Sequence, residues 1–93
     1  AIAFGCPAMG DEVLEDTEFE PMFDGCKDAL KGKNIALFGS YGWGDGEWMR
    51  IWAERMEQAG AQIVGGEGLI CHGTPGADAI DECESLGREV AGL

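Results

Sequence analysis

Apolar residues along this chain fall into two alternating patterns. Ala1–Gly5, Asn34–Gly39 and Ala61–Val64 carry short apolar runs without polar alternation, as in strands of a parallel sheet buried on both faces. The third run breaks at Gly65-Gly66-Glu67-Gly68 and resumes at Leu69-Ile70-Cys71. The glycines suggest an interrupted strand, since no helix start follows at the distance a phosphate cradle requires. Between the runs the apolar period becomes helical. Phe19, Met22, Phe23, Cys26 and Leu30 form one stripe, with Asp16 or Thr17 as cap, Pro21 in the first turn and Lys31-Gly32-Lys33 at the close. Trp48, Ile51, Trp52, Met56 and Ala59 form the inner stripe of a second helix, capped by Asp45 and stopped by Gly60. Its Glu47, Arg50, Glu54 and Glu57 face water. Thr74-Pro75-Gly76 opens a third helix, in which Ile80, Cys83, Leu86 or Gly87, and Val90 share a face.

The order β-α-β-α-β-α with short links predicts one small α/β domain, its parallel sheet joined by right-handed crossovers and covered by helices. Ligands of such sheets bind outside the carboxyl ends of the strands. The loops there are Cys6–Glu15 and Ser40–Gly46, the two that packing explains least. Trp43 stands in the second with a glycine on either side. The glycines remove the neighbours that would cover it, so the indole face is presented to something flat. A core tryptophan at a tight turn accounts for the same residue.

Charge narrows the choice of partner. Eighteen acids against 6 bases give a formal net charge of −12. That argues against nucleic acid and anionic membranes, which need cations to displace counterions, and favours a basic docking surface. Solvation of the helix faces explains the same acids. Cys6, Cys26, Cys71 and Cys83 form no Cys-x-x-Cys pair and sit in apolar patterns, so buried free thiols in a reducing cytoplasm are expected. Cys71-His72 lacks the spaced partners of a zinc site. There is no signal peptide or membrane-length apolar run, and the chain begins at Ala1 inside an apolar segment, which suggests a missing preceding segment.

Three stretches carry a family resemblance: Phe4-Gly5-Cys6-Pro7-Ala8-Met9-Gly10-Asp11-Glu12, Glu18-Phe19-Glu20-Pro21, and Leu37 through Gly46 with Ser40-Tyr41-Gly42-Trp43-Gly44 at its centre. Together they resemble short-chain flavodoxins of the clostridial type, from Ala1 through the last helix and more loosely after Ala61. The resemblance implies a flavodoxin-like three-layer α/β/α fold of which this chain supplies three βα units, the family's strands 3-4-5. It also implies a low-potential one-electron carrier, not an enzyme, that holds FMN non-covalently between the two loops. By that resemblance Trp43 stacks on the outer face of the isoalloxazine ring and Met9 packs on the inner face as a soft thioether. Gly10 resembles the family's switch glycine. On one-electron reduction ring N5 gains a proton, and the peptide after Met9 turns its carbonyl to accept it, through a positive φ that glycine permits. Glu12 matches the acceptor for ring N3–H. The backbone of Gly42, Trp43 and Gly44 reaches N1 and O2, and Ser40 lies near the ribityl phosphate. Pro7, Ala8, Asp11 and Tyr41 complete the set.

This sequence departs from the family at its start. The family's first strand, its phosphate loop of Ser/Thr-Gly-x-Thr-Gly character, first helix and second strand are not in these 93 residues. The expected consequences are a partial domain, weakened FMN binding without the phosphate cradle, and an apolar edge at Ala1–Gly5. Such an edge self-associates or pairs with a missing N-terminal half. The alternative is a flavin-free half-domain acting as a binding or assembly module, with the acidic surface and free edge as its working parts. A third, catalytic reading finds no His or Lys near either loop.

Overall fold

A computed structural model describes residues 1–93. The elements are β1 (Ile2–Gly5), α1 (Phe19–Cys26), β2 (Asn34–Tyr41), α2 (Glu47–Gln58), β3 (Gln62–Ile63), β4 (Leu69–His72) and α3 (Ala77–Ala91). Every strand pair is parallel, with β2 at the centre. β1 lies on one edge of β2, Ile2 opposite Ile35 and Gly5 opposite Phe38. Along the other edge, β3 pairs with Asn34–Ile35 and β4 with Phe38–Tyr41. The two short strands are thus one interrupted strand, and the glycines at 65–68 make the break.

One face of the sheet is closed. Ile35 and Leu37 of β2 point into a core with Phe23 of α1, Leu30, and Trp48, Met49, Trp52, Ala53 and Met56 of α2. Phe19 and Phe23 meet the Trp52 ring edge to face, at 5.4 and 6.4 Å between centroids. Arg55 spans the seam between α1 and α2. Its guanidinium lies 4.6 Å from the Phe23 centroid and donates twice to the Glu20 carboxylate, at 2.7 and 2.8 Å. α2 ends in a Schellman motif: Ala61 N–H donates to Met56 O and Gly60 N–H to Glu57 O, with Gly60 at φ 90°.

The other face carries only α3, whose side chains are at most half-buried. Between α3 and the sheet lie two apolar cavities of about 360 and 240 Å³, both lined by Phe38, Leu69 and Cys83. Phe38 is 43% exposed although it sits in the central strand.

This asymmetry corrects several expectations. β1 is an edge strand covered on one side, so Ile2 and Ala3 are exposed where burial on both faces was expected. The inner stripe of α2 turns toward Met49 and Ala53, leaving Ile51 exposed beside Val13 and Arg55. Met22 and Ile80 are also exposed. All four cysteines are free, but only Cys6 is buried, and burial raises its thiol pKa; Cys83 is open to solvent.

The N-terminal caps differ as well. Neither Asp16 nor Thr17 caps α1. The Glu15 carboxylate accepts from the N–H groups of Thr17, Glu18 and Phe19 at 2.7, 2.6 and 3.1 Å and from the Thr17 hydroxyl. These bonds, the Thr17 hydroxyl first, lower its pKa to about 2. α1 itself stops at Cys26, and a 3₁₀ turn at Lys27–Ala29 leads to the buried Leu30. No helix is long and apolar enough to cross a membrane.

Candidate functional site

The two loops leave β1 and β2 side by side. Parallel pairing runs past the end of β1, because Cys6 N–H donates to Phe38 O at 3.1 Å and Ala8 N–H to Ser40 O at 2.9 Å. The Cys6 carbonyl then accepts the buried indole N–H of Trp48 at 3.1 Å. A side chain at Gly39 would overlap that carbonyl. The start of the first loop is therefore fixed to both the sheet and α2.

Met9 and Val13 close a tight turn by two reciprocal backbone bonds of 2.9 Å. Gly10 has φ 52° and Glu12 φ 55°, and Glu12 is the only residue other than glycine with a positive φ. That conformation costs a residue with a Cβ about 1 kcal/mol or more. It aims the side chain across the gap, where Glu12 Oε1 accepts from the N–H groups of Asp45, Gly46 and Glu47 at 3.2, 3.0 and 3.1 Å. One carboxylate oxygen thus caps α2 from the other loop and complements its dipole. Asp45, the expected cap, instead pairs with Arg50 at 3.0 Å. Gly44, at φ 82°, leaves the room the carboxylate fills, since a Cβ there would overlap it.

Above this clasp the second loop stands open. Trp43 is 61% exposed, so it is not a core residue; Met9 is 45% exposed. The backbone N–H groups of Gly42, Trp43 and Gly44 donate to no protein acceptor. Three successive free donors beside an exposed indole suit a flat ligand with acceptors along one edge. In the turn the Met9 carbonyl is held by Val13, while the Gly10 carbonyl accepts no bond. Cys6 and Ser40 also line the 360 Å³ cavity on the α3 side.

The expected site residues divide by position. Met9, Gly10, Asp11, Gly42, Trp43 and Gly44 are exposed at one end of the sheet, with Pro7 at the mouth of the cavity. Ala8 and Ser40 are half-buried and bonded to one another through the backbone. Tyr41 packs inward, its ring 5.6 Å from Trp48 and 5.1 Å from His72. Two features escaped sequence reasoning, namely the Glu12 cap on α2 and the contact of His72 with Gly42. Both join residues about thirty apart through sheet register, and no local spacing announces them.

The flavodoxin family model matches residues 1–86. A flavodoxin of Megasphaera elsdenii is 49% identical over 90 residues, a match covering 97% of this chain and 63% of that protein. One from Clostridium beijerinckii is 46% identical over 92 residues, covering 99% and 65%. The solution structure of two-electron reduced Megasphaera elsdenii flavodoxin superposes with a TM-score of 0.82 at 44% identity, again over 99% of this chain and 65% of the other. Spanning less than two thirds of the length of these relatives but matched along nearly all of its own, the chain belongs to the flavodoxin family.

Proposed function

We propose that this chain forms the ring-binding part of a one-electron carrier that uses non-covalently bound FMN. The observation that carries this reading is the row of free N–H groups at Gly42–Gly44 beside the exposed Trp43. When bound, FMN supplies the redox chemistry, and the protein supplies placement and electrostatics. Trp43 and Met9 exclude water from the two ring faces. The free N–H row would receive the acceptors of the pyrimidine edge. Glu12 has one oxygen committed to α2 and the other, Oε2, left to accept from ring N3–H. Of the two peptides flanking Gly10, that of Met9 is held in the bridge to Val13 while Gly10–Asp11 carries an unbonded carbonyl, so Gly10–Asp11 would be the one free to turn toward ring N5. Pro7, Ala8, Ser40 and Tyr41 hold the loops from below.

The net charge of −12 opposes added negative charge on the ring, which favours low-potential work and docking to redox partners with basic surfaces. The reading assigns no general acid, base or nucleophile, so the protein is a carrier and not an enzyme. We further infer that the chain is a partial flavodoxin domain. The unpaired outer edge of β1 and the cavities under α3 are where a domain of the relatives' length has room for its further third. The same edge is the surface for self-association through Ala1–Gly5.

Gel filtration after addition of FMN, read by visible absorption, tests the proposal. Flavin bands that travel with the protein support it. A colourless protein would contradict it for the chain alone and favour the flavin-free assembly module.

A further inference from the structure

We propose that His72 is a positioning residue for the Trp43 loop, holding the Gly42–Trp43 peptide so that its N–H faces the ligand side. His72 ends β4, opposite Tyr41 in the sheet register, and is exposed. Its Nε2 lies 3.0 Å from the Gly42 carbonyl. One residue back, the Gly73 N–H donates to the Tyr41 carbonyl at 2.8 Å. Two consecutive carbonyls of the loop are therefore pinned to the end of β4, a strand that belongs to neither loop. The Tyr41 ring lies between, tilted 32° on His72 and packed against the buried Trp48 on its other contact, so His72 is itself positioned from the core.

The consequence follows from peptide geometry. Every peptide here is trans, and in a planar trans peptide the C=O and N–H point in opposite directions. With the Gly42 carbonyl turned to His72, the Trp43 N–H turns away from β4. β4 and the Cys6–Glu15 loop flank β2 on opposite edges, so this is the side of the Met9 turn. The bond requires a proton on Nε2, which both the imidazolium and the Nε2–H tautomer provide. Nothing else in the protein bonds the Gly42 carbonyl, and the N–H groups of Gly42, Trp43 and Gly44 are free. His72 is therefore the only side chain that fixes the orientation of this peptide.

The inference rests on the reading of the Trp43 loop as the ring platform, and its test separates the two. His72→Phe keeps a ring against Tyr41 and loses the donor; His72→Gln keeps a donor of similar reach and loses the ring. The Trp43 backbone amide resonance is followed in the flavin-free chain, and the FMN dissociation constant is then measured for each variant. His72→Phe is expected to move the Trp43 amide and to weaken FMN binding roughly three- to tenfold, the size of one ordinary hydrogen bond. His72→Gln is expected to restore both, with affinity within about twofold of wild type. The proposal is overturned if His72→Phe leaves either readout at the wild-type value, or if His72→Gln follows His72→Phe. Should the wild-type chain bind no FMN, the ring-site reading falls on its own. The amide comparison still decides whether His72 holds the loop.

Discussion

The two faces of the sheet differ in what they support. On the α1–α2 face, two tryptophans, Phe23 and Met56 are buried to within a percent or so of completely, and a bidentate Arg55–Glu20 pair closes the seam. On the α3 face, a helix with no buried residue stands off from Phe38 across two cavities. Both candidate loops are tied to the closed face. Trp48 bonds the Cys6 carbonyl, Glu12 caps α2, and Tyr41 leans on Trp48. A site can thus be organised by half of a domain when its supports come from the packed side. The open side meets the site at the end of β4, by way of His72 and Gly73, and along the cavity that Pro7 and Ser40 line.

The sharpest test of this asymmetry compares truncations on the two faces. Trp52→Ala empties the centre of the closed core and is expected to cost about 3–5 kcal/mol, enough to unfold a marginal domain of this size. Leu86→Ala, on the half-buried side of α3, is expected to cost about 1 kcal/mol or less, since the side chain borders an existing cavity. Urea denaturation of both variants checks the pair. Equal costs would mean that the α3 face contributes as much to stability as the closed one.

A smaller effect tests how the site is fastened to the closed face. Glu12→Ala removes the acceptor for the three N–H groups of Asp45, Gly46 and Glu47 at the start of α2 and is expected to destabilise the chain by about 1–2 kcal/mol, the range of a lost N-terminal cap. It also leaves no carboxylate to hold the turn against the second loop, so amide exchange at Asp45–Glu47 is expected to accelerate. Unchanged exchange there would show that the cap is dispensable.

The smallest effect concerns the cap of α1. The folded pKa of Glu15 lies at about 2, below the ordinary carboxylate value. Its contribution is therefore complete above the unfolded pKa near 4.5 and is lost as pH falls toward 2. Glu15→Gln is expected to lower the urea midpoint at pH 6 and to match wild type near pH 2. A difference that persisted at pH 2 would assign the effect to something other than the ionised cap. The group is solvent-exposed, so added salt is expected to shrink the difference.

The sequence disclosed the fold to the extent that its apolar periods were unambiguous. Ile35-Ala36-Leu37-Phe38 and Trp48/Trp52/Met56 led directly to the central strand and its covering helix, and the glycine run at 65–68 to the interrupted strand. Burial was misjudged where it depends on neighbours and not on residue type. Ile2 and Phe38 are as apolar as Ile35 and Leu37, yet they lie on an edge and on a thinly covered face. The two loops could be located because glycines around Trp43 and Met9-Gly10 have no packing explanation. The contacts that fasten those loops could not, because Glu12 and His72 reach their partners only through the fold.

The central claim, that Trp43 is a platform for a flavin ring, is tested most directly by the FMN dissociation constants of the wild-type chain and Trp43→Ala. The side chain is 61% exposed and contributes little to the core, so the variant is expected to fold as the wild type does. Loss of stacking is expected to weaken binding by about tenfold or more, given the roughly 1–3 kcal/mol of stacking a planar heterocycle on an aromatic side chain. An affinity unchanged by the substitution would contradict the account and place the ring elsewhere.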